Sequence, residues 1–401
     1  MAYRRIEGLG ELRDKRALVR VDFNVPLDGG AVADDFRILS ALPTIRRLQE
    51  AGARVVLCSH LGRPKGKPNP EFSLRPVAAR LAELLEAEVA FCETTVGAEA
   101  EAATHALSSG GVLLIENLRF NPGEKSNDAE FAAELAKLGD VYVNDAFGVC
   151  HRAAASVVKI AELLPAACGD LIAAEVDALS PLREGTAPRP FVVVLGGAKL
   201  GTKIPVLQAL LPRTDAVCVG GGMAYTLLKA MGKSIGASRC EEDLLETAGE
   251  ILEASRLRMR ETGQELVLPR DHIVAKGPNA DLAGYDCVEE VPDGLMALDI
   301  GPASVAEFLR VLRTAKTVFW NGPLGVFEIP PFHLGTEQVA TFLAGRAGDC
   351  HTIVGGGDSA AAARQLGLAD RMAWVSTGGG ASLLFVQGEE LPGLAALPEA
   401  S

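Results

Sequence analysis

Four apolar runs in the first half of the chain each end in side chains suited to gripping an anion. Arg20-Val21-Asp22-Phe23-Asn24 closes one run and is followed by Arg37, while Val55-Val56-Leu57 leads into His60-Leu61-Gly62-Arg63. Val112-Leu113-Leu114-Ile115 leads into Glu116-Asn117-Leu118-Arg119, and Val141-Tyr142-Val143 into Asn144-Asp145 and then His151-Arg152. Arginine suits phosphate and carboxylate because its planar fork donates two parallel hydrogen bonds. One arginine alone reads as a surface residue or an ion-pair partner. Arg37, Arg63, Arg119 and Arg152 at successive strand ends, beside Asp22, Asn24 and His60, describe a pocket for a small, highly anionic molecule, because ligands of open parallel sheets bind outside the carboxyl ends of the strands.

The second half carries glycine clusters instead. Gly196-Gly197-Ala198-Lys199-Leu200-Gly201-Thr202-Lys203, Gly220-Gly221-Gly222 and Gly355-Gly356-Gly357-Asp358-Ser359 each follow an apolar run. A single cluster marks a tight turn. Three at strand-to-helix junctions suggest a phosphate-rich ligand cradled by backbone N–H groups and helix ends. The P-loop pattern is absent: Gly232-Lys233-Ser234 imitates its end, but Leu227 stands at the first glycine position. Gly355, Gly357 and Ala360 satisfy a loose dinucleotide pattern, yet the next strand ends at Val375-Ser376-Thr377 without the acid that would hold a ribose. A dehydrogenase reading fails there. Trp320 and Phe327 read as core side chains rather than as base-stacking ones.

Taken together, these motifs resemble the phosphoglycerate kinase family, from Asp22-Phe23-Asn24 through Trp320-Asn321-Gly322-Pro323-Leu324-Gly325-Val326-Phe327-Glu328 to Gly378-Gly379-Gly380-Ala381. The resemblance implies reversible phosphoryl transfer from 1,3-bisphosphoglycerate to ADP, giving 3-phosphoglycerate and ATP. It implies that Asp22 and Asn24 hold the hydroxyl side of 3-phosphoglycerate. His60, Leu61, Gly62, Arg63, Arg119 and Arg152 would surround its phosphate, and Arg37 would face the reacting acyl phosphate. On the nucleotide side it implies Lys199 at the transferring group, Lys203 and the Gly356-Gly357-Asp358-Ser359 segment at the phosphates, Glu328 at the ribose, and Asp358 at a magnesium ion. The chain departs from the family pattern at Phe147-Gly148-Val149-Cys150, at Leu200-Gly201-Thr202 and at Ser359, where threonine is usual. Each departure spares the arginines and the backbone donors. A two-lobed binding protein without catalysis is the rival of another class, and nucleotide turnover separates the two.

Such residues must be positioned by alternating strands and helices, the signature of parallel α/β units. Residues 17–23, 53–58, 88–92, 111–116 and 140–145 read as strands. Residues 37–51 and 74–87 read as helices, the first with Ile38, Leu42, Ile45 and Leu48 on one face. A further helix is capped by Asn127, with Glu130 three residues on and Gly139 at its end. A second series of strands starts at 191 and continues near 215–219, 265–268, 295–299, 316–320, 351–355 and 372–376. The chain is therefore expected to form two doubly wound parallel-sheet domains of Rossmann-like kind, joined by a helix and hinge. Their expected bounds are 1–168 for the 3-phosphoglycerate domain, 169–190 for the joining helix and linker, and 191–387 for the nucleotide domain. By resemblance, 388–401 return to pack on the first domain.

Composition narrows the class. The chain has 401 residues and a net charge of −13, which argues against general nucleic-acid binding. It shows no signal-like start and no apolar run of membrane-spanning length. Eight cysteines without a Cys-x-x-Cys pair fit reduced thiols in the cytoplasm. Cys150 reads as a small hydrophobe rather than a nucleophile. A monomer with no membrane or nucleic-acid partner is expected.

Overall fold

Runs of valine, leucine and isoleucine without polar alternation belong to strands covered on both faces, and the chain builds two sheets of this kind. The computed structural model describes residues 3–279 and 285–400. It separates into two compact units, Met1–Asp177 with Glu390–Ser401, and Ala178–Glu389.

In the first unit six parallel strands lie in the spatial order Val89–Cys92, Val112–Ile115, Arg54–Cys58, Arg16–Arg20, Val141–Asn144 and Ala166–Cys168. Leu18 pairs with both Val56 and Tyr142, so Arg16–Arg20 is central. From it the chain steps first toward Arg54–Cys58 and later, on the other side, from Val141–Asn144 to Ala166–Cys168. The carboxyl ends of Arg16–Arg20 and Val141–Asn144 therefore flank the switch in strand order, where such sheets hold ligands. The Phe36–Glu50 helix buries Ile38, Ala41, Leu42, Ile45 and Leu48, and the backbone N–H of its first residue donates to Asp34 Oδ1 at 2.9 Å.

The second sheet runs Glu265–Val267, Ala216–Val219, Phe191–Leu195, Thr317–Asn321, His351–Val354 and Trp374–Val375, again all parallel. This is the doubly wound order of a dinucleotide-type sheet, with its switch between Phe191–Leu195 and Thr317–Asn321. Trp320 and Phe327 are buried in its core.

Two expectations need correction, and one helix was not foreseen. The strand near 295–299 is not in the parallel series. Met296–Ile300 pairs antiparallel with His272–Ala275, which also carries Asp286–Val288, as a separate three-stranded sheet. An apolar run shows that a strand exists but not which strand it joins. The cap of the Ala129–Ala136 helix is Asp128, whose Oδ1 accepts the Phe131 N–H at 2.8 Å, while Asn127 turns left-handed before it. The Ala98–Ala106 helix was not anticipated, because it buries only Ala100 and Thr104 and has almost no apolar stripe.

The Asp170–Glu184 helix contains the division between the units, at Asp177 and Ala178, and the chain re-enters the first unit at Glu390. There the Gly393 N–H donates to the Cys150 carbonyl at 2.8 Å. Asn144 Nδ2 donates to the Gly393 carbonyl at 3.3 Å. A side chain at Gly393 would sit 2.5 Å from Val157 Cγ1 and 2.8 Å from Cys150 Cα. Among the described residues no helix is long and apolar enough to cross a membrane.

Gly393→Ala should therefore destabilise the first unit by roughly 1–3 kcal/mol, the usual cost of forcing atoms into a packed contact. An unchanged urea midpoint for that unit would show that the segment yields freely.

Candidate functional site

In the first unit the strand ends converge as a network of tied loops. Arg37 Nη1 lies 3.2 Å from Asp22 Oδ2 and donates to the Asn24 carbonyl at 3.0 Å. Asn24 Oδ1 accepts the Gly62 N–H at 2.9 Å, and Arg119 Nη1 donates to the Gly62 carbonyl at 2.6 Å. These bonds link the segments containing Asp22, Asn24, His60–Arg63 and Arg119.

Behind them sits a residue absent from the expected set. Arg20 is only 2 % exposed. Its Nε donates to Ser156 Oγ at 2.8 Å, and its Nη2 lies 3.2 Å from His60 Nδ1. Ser156 donates to Glu124 from both its backbone N–H, at 3.0 Å, and its Oγ, at 2.7 Å. Glu124 Oε1 lies 3.9 Å from Arg20 Nη2. Facing a guanidinium, which has no lone pair, His60 Nδ1 must act as the acceptor. His60 is held well below the usual histidine range by burial first, then by Arg20, Arg119, Arg152 and Arg37. Arg152 Nε likewise donates to His151 Nε2 at 3.0 Å.

A cavity of about 660 Å³ opens here, lined by Arg20, Arg63, Lys65, Arg119, Lys125 and Arg152. Glu124 is the one acid in its wall, and it is already taken by Ser156 and Arg20. Positive charge thus exceeds negative. Arg119 registers the excess, pushed down to about 10 by burial and then by Arg152 and Arg20. Arg63, Arg119 and Arg152 of the expected set line the cavity. Asp22, Asn24, Arg37, His60, Leu61 and Gly62 form the adjoining tied loops. Sequence reasoning missed Arg20, Lys65 and Lys125. The charge ending an otherwise apolar central strand was the available signal for Arg20.

The second unit uses its glycines differently from expectation. The Gly197 N–H donates to the Pro323 carbonyl and the Gly221 N–H to the Leu324 carbonyl, both at 2.8 Å. A side chain on Gly221 would lie 2.7 Å from Gly197 N, and one on Gly322 would lie 2.2 Å from Gly196 O. The first two clusters are thus loop-to-loop packing, with these amides already spent on protein carbonyls.

The third cluster packs against Phe319 and Asn321 at Gly355 and Gly356 and opens at Gly357. Gly356 has φ 93° and precedes the Gly357–Gln365 helix, and a side chain on Gly357 would meet nothing. Asp358 is exposed in the first turn, and no side chain caps this helix. The Ser359 hydroxyl is not free for a ligand: it donates to the Gly355 carbonyl at 3.0 Å and accepts the Gly322 N–H. Lys203 Nζ donates to Asn321 Oδ1, and Asn321 Nδ2 donates to the Gly355 carbonyl at 2.5 Å. Burial lowers the Lys203 pKa, with the Asp358 charge opposing. Lys203 stands at the N-cap of the Ile204–Leu210 helix, while Lys199 is exposed in the preceding loop. Glu328 is exposed in a turn, with no hydrogen bond to the glycine loops among the described residues.

The phosphoglycerate kinase family profile matches residues 6–389. The chain belongs to the phosphoglycerate kinase family. It is 51 % identical over 409 residues to the phosphoglycerate kinase of Clavibacter sepedonicus, covering 99 % of each chain. It is 52 % identical over 390 residues to that of Rubrobacter xylanophilus, covering 97 % of each. The solved phosphoglycerate kinase of Coxiella burnetii superposes with a TM-score of 0.84 at 40 % identity, covering 98 % of both chains. The family's reaction, reversible phosphoryl transfer between 1,3-bisphosphoglycerate and ADP, is accordingly the activity of this chain.

Buried, neutral His60 has a consequence for acid stability. Its folded pKa lies below the unfolded value, so its contribution is complete above about pH 6.5 and is lost as pH falls from there toward the folded value. The unfolded chain alone takes up the proton in that window. His60→Gln should remove a slope of up to about 1.4 kcal/mol per pH unit from urea-unfolding free energies below pH 6.5. Parallel pH profiles for wild type and variant would contradict it.

Proposed function

We propose that the arginine-lined cavity of the first unit takes the phosphate of 3-phosphoglycerate and that the open Gly356–Ser359 turn takes the nucleotide phosphates. The observation that carries this reading is the excess of cations around a cavity whose acid, Glu124, is already neutralised. Arg63, Arg119 and Arg152 grip the phosphate, and the adjoining loop of His60, Leu61 and Gly62 positions Arg119 through the Gly62 carbonyl. Asp22 and Asn24 hold the hydroxyl side. Arg37, fixed along one edge by Asp22 and Asn24, keeps its remaining N–H groups for the acyl phosphate.

On the nucleotide side, Lys203 and the backbone of Gly356, Gly357, Asp358 and Ser359 hold ADP or ATP. Glu328 holds the ribose, and Lys199 reaches the transferring group. An exposed carboxylate at a helix start would repel phosphate, and a magnesium ion between them removes the conflict. The donor fits, since magnesium prefers oxygen ligands and keeps several from phosphate and water. Among the described residues no three His, Cys, Asp or Glu side chains cluster as a metal site, so Asp358 would be its protein ligand. When bound, magnesium supplies neutralisation of phosphate charge.

The chemistry asks little of a general base. The leaving group is a carboxylate and the acceptor an ionised phosphate oxygen, so transfer needs in-line positioning and neutralisation of spreading charge. Arg37 and Lys199 supply the neutralisation from the protein. The reading takes the protein as a cytoplasmic monomer, and the charge of −13 disfavours a nucleic-acid partner.

Two arginine variants separate grip from chemistry. Arg119→Ala should raise the KM for 3-phosphoglycerate about tenfold or more, since a hydrogen bond to a charged group is worth that much. Arg37→Ala should instead lower kcat by about 100-fold or more. A kinetic split in the opposite sense would overturn the two roles.

Asp358→Asn should weaken magnesium-dependent ADP binding and leave 3-phosphoglycerate binding nearly unchanged. Unaltered Mg-ADP titrations together with normal turnover would exclude Asp358 as the metal ligand.

A further inference from the structure

The buried pair behind the first cavity is kept apart by a hydroxyl. Arg20 Nη2 lies 3.9 Å from Glu124 Oε1, whereas a charge-assisted N–H···O bond closes to about 2.8 Å. Arg20 and Glu124 are 2 % and 3 % exposed, a depth at which opposite charges are screened little. Ser156 Oγ links the two. It accepts from Arg20 Nε at 2.8 Å and donates to Glu124 Oε1 at 2.7 Å. The serine is fixed in this position. Its N–H donates to Glu124 Oε2 at 3.0 Å, its carbonyl accepts the Tyr142 hydroxyl at 2.8 Å, and it is fully buried.

The consequence falls on His60. Arg20 Nη2 is the same nitrogen that faces His60 Nδ1 at 3.2 Å, while Arg20 Nη1 donates to the Val21 carbonyl. A neutral imidazole carries one ring proton, and the bond made by one nitrogen decides which of the two holds it. A partner of the opposite kind also stands near Nδ1, since Asp22 Oδ1 lies 3.9 Å from it. With the guanidinium in place, Nδ1 accepts and the proton sits on Nε2. With the guanidinium withdrawn, the Asp22 carboxylate draws the proton to Nδ1. His60 Nε2 has no bonding partner among the described residues and is not one of the fully enclosed unpaired atoms. It is the ring nitrogen left to meet a ligand.

We infer that Ser156 is a positioning residue: its hydroxyl holds Arg20 off Glu124 and thereby keeps the ring proton of His60 on Nε2. Without that hydroxyl, closing the pair from 3.9 Å to about 2.8 Å moves the guanidinium by about 1 Å. The 3.2 Å bond to His60, already at the long end of its range, then opens. The other cations facing the ring, Arg37, Arg119 and Arg152, make no bond to Ser156 or Glu124 among the described residues. The benefit to the reaction rests on the reading above, which sets the phosphate of 3-phosphoglycerate beside the His60 loop. A phosphate oxygen is an acceptor, so Nε2–H attracts it and a bare Nε2 lone pair repels it.

The test is Ser156→Ala in the full-length protein, followed by ring-nitrogen NMR of His60 at neutral pH. The wild type should show a bare Nδ1 and a protonated Nε2, and the variant should show the proton moved to Nδ1. The KM for 3-phosphoglycerate should rise about tenfold, the worth of one hydrogen bond to a charged group, with a much smaller change in kcat. Glu124→Gln removes the charge onto which Arg20 would close, so it should leave the proton on Nε2, alone and combined with Ser156→Ala. An unchanged ring spectrum in Ser156→Ala, whatever its urea midpoint, would show that the serine only packs and would overturn the inference. A proton displaced by Glu124→Gln would overturn it too, as would a wild-type ring protonated on Nδ1, which needs no variant to fold. A moved proton with an unchanged KM would uphold the role of Ser156 and instead take the phosphate away from His60.

Discussion

A guanidinium buried at the end of a central strand must be partnered, and the first unit is organised around that requirement at Arg20. An unpaired guanidinium at such a depth would strongly destabilise its surroundings. Ser156, Glu124 and His60 meet the need from three different segments. The Glu124 contact draws in the short helix after Arg119, and the Ser156 contact fixes the segment after Arg152. The same cation obliges His60 to stay neutral and accept. The arginines lining the cavity therefore stand on loops already held by a buried charge network, which is how a cluster of like charges keeps its shape before an anion arrives.

The second unit meets the equivalent problem by omitting side chains. Glycine at 196, 197, 221 and 322 lets three loops touch backbone to backbone, and the amides involved bond to protein carbonyls rather than to a ligand. This packing brings Asn321 between Lys203 and Gly355. Asn321 then orients the lysine amine with one end of its amide and the third glycine loop with the other. The Gly357–Gln365 helix start is left open at Gly357, with Asp358 exposed at its first turn. One unit thus positions its site by pairing charge, and the other by close approach.

Much of this was legible in the sequence. Apolar runs gave the strands, and arginines after them marked the rim, because strand ends in parallel sheets point at ligands. What escaped notice has physical reasons. Arg20 looks like the last residue of a strand, and its partners Glu124 and Ser156 lie more than a hundred residues away in sequence. The Asp286–Val288, His272–Ala275 and Met296–Ile300 sheet has strand-like sequence, but pairing direction is a tertiary property. Glycine at 197 and glycine at 357 are identical letters. One carries φ 109° against a neighbouring loop, and the other opens a helix into unoccupied space. Ser359 was read with the ligand-facing turn, yet its hydroxyl is consumed inside the fold, leaving the backbone as the part available to phosphate.

The charge distribution links the two designs. With a net charge of −13, most of the surface repels a phosphorylated substrate. Against that background, a cavity walled by Arg20, Arg63, Lys65, Arg119, Lys125 and Arg152 is a local well in an otherwise unfavourable field, and low-dielectric walls deepen such wells. Burial already disfavours the charged form of Arg119, so an incoming phosphate relieves repulsion among the arginines as well as forming new bonds. The first unit consequently holds uncompensated positive charge in the wall of its cavity. In the second unit the exposed Asp358 instead puts a negative charge at the start of the Gly357–Gln365 helix. On the proposed assignment the two units would select for different charge states, a bare phosphate on one and a metal-carrying phosphate on the other, an asymmetry that suits a transfer between an acyl phosphate and a nucleotide.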